Sequence, residues 1–105
     1  MPHSVVPDAS LDAEIGGFSV WTLHYWNVSL AQIATDPFPR DGTYVEPTDP
    51  VTKTPSRTWL FEITEETSIS GERIYVFIAE FFPEYAIVYS VHGNEVVVFY
   101  LRRIP

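Results

Sequence analysis

RIYVFIAEF at 73–81, interrupted by Phe82-Pro83-Glu84 and followed by YAIVYSV at 85–91, is the stretch that decides the fold. Its β-branched and aromatic residues suit a pleated, packed strand. The proline interrupts a ladder because it has no N–H to donate. The same composition extends outward on both sides. WLFEIT at 59–64 precedes it across a polar run at 65–71, and EVVVFYLRR at 95–103 follows it. Gly93-Asn94 lies between the last two segments and suits a tight primed hairpin turn. Connections this short make neighbours antiparallel, so the four segments are predicted to form a meander.

Alternation along these strands says which way the side chains point. Ile74, Val76 and Ile78 share one face of the second strand, with Tyr75, Phe77 and Ala79 on the other. In the fourth, Val97, Phe99 and Leu101 oppose Val96, Val98 and Tyr100. Both faces are apolar, whereas a sheet with one wet face alternates apolar with polar. Each face therefore needs cover, from a closed barrel with something packed outside it, from a sandwich, or from another copy of the chain. The fold class is all-β: a small antiparallel β-barrel or sandwich with a C-terminal four-strand meander and a long Pro-rich central loop.

The N-terminal half is less regular. Residues 1–11 read as a mobile tail, and 12–15 as a short turn of helix. FSVWTLHYWNVSL at 18–30 has strong β propensity and no proline, and reads as one long, bent strand. Residues 31–56 are rich in Pro, Thr and Asp and read as a long loop, with only 43–46 strand-like inside it. A loop of that length in a small domain is usually functional or mobile. The whole chain, 1–105, makes a single domain.

Fourteen acidic against six basic residues give a formal charge of −8. That balance repels nucleic-acid phosphates and anionic membranes, so neither is expected as a direct partner. Its first reading is solubility alone, and the alternative is attraction to a basic partner. The absence of cysteine excludes disulfides, thiolate metal sites and cysteine nucleophiles, and fits a reducing compartment. The Met-Pro-His-Ser start lacks the basic and apolar regions of a secretory signal, and no apolar run reaches the roughly 18 residues of a membrane span. The expectation is a soluble, cytoplasmic protein, in which Asn27-Val28-Ser29 matches the glycosylation pattern by chance.

No catalytic constellation stands out. His3 lies in the tail, His92 adjoins the hairpin turn, and His24 sits mid-segment with no metal ligand at a useful spacing. There is no nucleophile elbow and no phosphate-cradling glycine loop. Glu62 and Glu80 would be site candidates only if they pointed inward, where burial raises a carboxyl pKa. The reading is a non-catalytic binding protein with no metal or cofactor. Its richest signal is aromatic: ligand pockets are mostly apolar and aromatic with a few polar groups, and tyrosine hydroxyls supply those. The candidate ligand-binding residues are Trp21, Tyr25, Phe77, Tyr85, Tyr89 and Phe99.

The closing segments resemble those of the lipocalins. Tyr85-Ala86-Ile87-Val88-Tyr89-Ser90 is similar to a strand of that family, and Leu101-Arg102-Arg103-Ile104-Pro105 to its last strand, with Arg103 in the place of the family arginine. Near the start, LDAEIGGFSVWTLHY at 11–25 resembles the first strand, with Trp21 as the family tryptophan. Glu80-Phe81-Phe82 stands where the family has a Thr-Asp-Tyr-like corner. The resemblance implies a barrel-shaped cup for a small hydrophobic molecule, with Arg103 lying across Trp21 to close one end. The alternative is a protein–protein interaction module or inhibitor, or a homo-oligomer. It would use an apolar sheet face, with Asp36, Asp41, Glu46 and Asp49 steering a basic partner.

Overall fold

The four C-terminal segments form the meander that their composition predicts. The computed structural model of the chain describes residues 2–48 and 50–105. Among these the strands are β1 (Ser4–Pro7), β2 (Arg40–Val45), β3 (Thr58–Thr67), β4 (Arg73–Ala79), β5 (Phe82–His92) and β6 (Glu95–Arg103). They make one mixed sheet in the order β1-β6-β5-β4-β3-β2, curled into a half-barrel. All neighbours are antiparallel except β1 and β6. The β5–β6 turn is Gly93-Asn94, with Gly93 at φ 63°, a conformation that glycine adopts without steric cost. The register slips once in β6, where Tyr89 faces Val98 and Val88 faces Tyr100, so Phe99 is the extra residue of a bulge.

Two N-terminal segments depart from the sequence reading. Of the expected tail at 1–11, Met1 lies outside the described residues and 4–11 is built into the fold: Val5 and Val6 pair with Val96 and Val97 in β1, and a 3-10 turn at Ala9–Leu11 follows. The meander leaves β6 with unpaired backbone groups along one side, and β1 satisfies them. Pro7 ends β1, at the sheet's edge, where a missing N–H is tolerated.

The larger departure is 18–30. It is a helix, not a strand: a short α1 (Asp12–Gly16) leads to α2 (Val20–Thr35). Ser19 caps α2 by accepting the Thr22 N–H at 3.2 Å. Trp26, Ser29 and Ile33 recur at helical spacing and are buried, with Tyr25, Val28 and Leu30 beside them. Ser29 is tolerated inside because its hydroxyl donates to the Tyr25 carbonyl at 2.8 Å. The β propensity of these residues yields to the sheet's need for cover, since a curled sheet buries one face only against another element. Val20, Trp21 and Leu23 on the solvent side blur the apolar stripe and hide the helical period.

Helix α2 also shortens the expected loop. Residues 31–35 are its last turn, and β2 takes 40–45, leaving 46–48 and 50–57 outside any helix or strand. Asp36-Pro37 ends the helix, and Arg40 closes it, donating to the carbonyls of Gln32 (2.9 Å) and Asp36 (3.0 Å). The same guanidinium lies 4.9 Å over the Phe61 ring.

The main core fills the concave side. Trp26 and Ile33 of α2 meet Phe61, Ile63, Tyr75, Phe77, Ile87, Tyr89, Val96 and Val98 of the sheet. A smaller cluster, Val76, Ala86 and Val88, lies on the convex side with Ile74 and Ile104 packed against it. No helix among the described residues is long and apolar enough to cross a membrane.

Substitutions at three positions test this packing. Trp26, 3% exposed, and Trp21, 72% exposed, lie on opposite sides of α2. Trp26→Ala is expected to cost about 3–5 kcal/mol in urea unfolding, and Trp21→Ala within about 0.5 kcal/mol. Gly42 faces Phe61 across the β2–β3 pair, and a Cβ there would run into the Phe61 ring. Gly42→Ala is expected to destabilise by about 1–3 kcal/mol, and less in a Phe61→Leu background.

Candidate functional site: an acidic apolar groove on the convex sheet

Strand alternation builds this site. In β3, Trp59, Phe61 and Ile63 turn to the core, so Leu60 and Glu62 turn outward. In β4, Tyr75, Phe77 and Ala79 turn inward, leaving Ile78 outside. In β2, Asp41 is on the same outer side. Register then sets Asp41, Glu62 and Ile78 in one row across three strands, with Thr43 and Leu60 in the next. Glu80 completes the rim from the β4–β5 turn. Its carboxylate accepts the Leu60 N–H at 2.6 Å, and its own N–H donates to the Leu60 carbonyl at 3.0 Å. The result is a groove floored by Gly42, Leu60 and Ile78 and edged by Asp41, Glu62 and Glu80. Leu60 is 59% and Ile78 44% exposed, a pair of large apolar side chains that nothing in the described chain covers.

Its electrostatics are one-sided. Asp41 and Glu62 are direct cross-strand partners, and like charges placed so destabilise a sheet. The arginines that could relieve them are engaged elsewhere. Arg40 closes α2, Arg57 lies 3.5 Å over the Trp59 ring, Arg73 pairs with Glu65, Arg102 with Glu66, and Arg103 lies over Tyr85. Lys53, the remaining basic residue, is exposed in the irregular stretch before β3.

The six aromatic candidates do not converge on one cavity. Phe77 and Tyr89 have no exposed surface and are core residues. The Tyr89 hydroxyl donates to the Pro37 carbonyl at 2.6 Å, and burial raises its pKa. Trp21 stands on the solvent side of α2 with His24 as ring neighbour, and Phe99 is the half-exposed bulge residue of β6. The structure does bring Tyr85 and Arg103 together, beside the start of α2, with the guanidinium 5.8 Å from the ring centre. Arg103 therefore stacks on Tyr85 rather than Trp21, because residue 21 belongs to a helix and turns away from the sheet. Tyr25 reaches from α2 to Glu46, its hydroxyl donating to the carboxylate.

The carboxylates Glu62 and Glu80 both face solvent, and His24 and His92 are exposed. Among the described residues no three His, Asp or Glu side chains gather as a metal site. Of the four acidic residues expected to steer a partner, Asp41 joins the groove, Glu46 binds Tyr25, Asp36 pairs with Arg40 at 3.7 Å, and Asp49 lies outside the described residues. Leu60 and Ile78 were not among the sequence candidates. Their only sequence signal was an apolar residue on the face opposite the core aromatics, which is visible once the inward face is known.

Comparison with protein-family models, with curated proteins and with solved structures finds nothing that matches this chain.

Two outcomes follow from the charges. Asp41→Asn removes a like-charge pair and is expected to raise stability by about 0.2–1 kcal/mol, read as a higher urea midpoint that shrinks in high salt. The bond from Tyr25 holds the Glu46 carboxyl below the usual range, aided by Arg57, and the same bond pushes the Tyr25 hydroxyl up to about 12. A depressed carboxyl pKa adds stability that is present above the unfolded value of 4.5 and is lost as pH falls through the folded one. A raised tyrosine pKa adds stability present below 10 and lost as pH rises towards 12. Tyr25→Phe is therefore expected to cost about 1 kcal/mol at pH 7 and to flatten stability-versus-pH curves below pH 4.5 and above pH 10.

Proposed function

We propose that this chain is a non-catalytic protein-binding module whose contact surface is the open half of the convex sheet, centred on Leu60 and Ile78. The observation that carries the reading is their exposure beside a self-covered neighbour. Residues 76, 86 and 88 on the same face are buried with Ile74 and Ile104 packed against them, whereas Leu60 and Ile78 in the β2–β4 half stay exposed. Large apolar side chains ringed by polar groups mark interaction sites.

The second reading is a carrier of a small hydrophobic molecule in a lipocalin-like cup. It draws support from the concentration of rings on the concave side, Phe61, Tyr75, Phe77, Phe82 and Tyr89 among them. Those rings pack against one another and against α2, with centroid spacings such as 5.2 Å for Phe61–Phe77 and 5.7 Å for Tyr75–Tyr89. The groove is the better-supported site because its apolar atoms are already at the surface.

Panning a random peptide display library on the immobilised chain tests the choice, with the Leu60→Asp/Ile78→Asp variant as counter-target. The module reading expects enriched peptides that lose at least about tenfold in affinity on the variant, a loss of about 1.4 kcal/mol. Peptides that bind both proteins equally would overturn it. A co-purified apolar molecule that leaves on denaturation in native mass spectrometry would move the function to the carrier.

A further inference from the structure

We infer that the occupant of the Leu60–Ile78 groove is a basic segment of a partner protein, one that seats an apolar side chain between Leu60 and Ile78 and places a Lys or Arg at Asp41 and Glu62. The inference rests on the binding-module reading and adds the chemistry of the partner. Three observations carry it. First, the rim is acidic: Asp41, Glu62 and Glu80 edge the groove, and no basic residue among those described lines it. Second, Asp41 and Glu62 face each other directly across β2 and β3, so the sheet holds a repulsion that a cation between them would relieve. Third, among the described residues the arginines do not relieve it. The five arginines are committed to α2, Trp59, Glu65, Glu66 and Tyr85.

The same charges argue against a second copy of the chain at this surface. Two such faces would bring six rim carboxylates together, on protomers that each carry a net charge of −8. A partner that supplies the missing cations meets no such penalty. Its long-range attraction would speed encounter, and its apolar side chain would slow release. A site that keeps two like charges adjacent at a cost in stability is also what a binding function explains and a purely structural role does not.

The test is titration of the 15N-labelled full chain with two capped peptides of equal apolar content. One is Lys-Thr-Leu-Lys-Leu-Thr-Lys, and the other has glutamate in place of each lysine. The basic peptide is expected to shift amides of residues 41–43, 60–62 and 78–80 and to bind at least about tenfold tighter than the acidic one at low salt. Asp41→Asn/Glu62→Gln should weaken it about fivefold or more. That variant relieves repulsion, so it is expected to fold, and an unchanged amide spectrum away from the groove checks this. Equal or tighter binding of the acidic peptide at the same amides would overturn the inference and leave the binding-module reading standing. Failure of the basic peptide to shift these amides would overturn the inference, while the library panning decides the reading separately. A dimer of the free chain in sedimentation, broken by Leu60→Asp, would assign the groove to a second copy and overturn the basic partner.

Discussion

The structure depends on α2 lying across the concave face of the sheet. A curled sheet with this many inward rings cannot leave that face in water, and Trp26 and Ile33 bury it. Each large side chain so buried contributes about 1.5–3 kcal/mol. The helix is pinned at both ends. Ser19 caps its start, where Phe18 sets its ring against Phe82 and Tyr85. At its end, Arg40 takes the last carbonyls, and Tyr89 holds the Pro37 carbonyl from the sheet. The chain path demands this crossing. β1 and β2 sit at opposite edges of the sheet, and the segment between them passes over the face it must cover.

That crossing also decides where apolar surface stays exposed. With the concave side filled by the chain's own helix and rings, surface apolar atoms are left mainly on the convex side and along the outer face of α2. The convex side is divided: Ile104 and Ile74 pack against a small buried cluster, and the Leu60–Ile78 half stays open beside three carboxylates. Strand register sets that geometry residue by residue. A slip of one position in β3 would turn Leu60 and Glu62 to the core and Phe61 to solvent.

How much of the site the residues disclosed follows from the same geometry. The abundance of rings was plain in the sequence, and so was their suitability for a pocket. Whether a ring lines a pocket or a core depends on which faces meet, and Phe77 and Tyr89 went to the core. Trp21 carries a signal that a strand reading misplaces, since strand and helix point it in different directions. The acidic balance was plain in the composition, but only the pairing of β2 with β3 set Asp41 against Glu62.

The sequence by itself determined the meander. Strands β3 to β6 are rich in β-branched and aromatic residues and separated by short turns, so local preference and near-neighbour pairing suffice to place them. It also determined the chain's charge and its lack of cysteine. Tertiary structure alone decided the helix at Val20–Thr35, the parallel β1 beside β6, and the open groove. Each of these depends on residues far apart in the chain. Burial against the sheet outweighs the modest β preference of Val, Thr, Trp and Tyr in α2. The free edge of β6 recruits β1. Whether the convex face is covered depends on which segment reaches it, and only the folded path settles that.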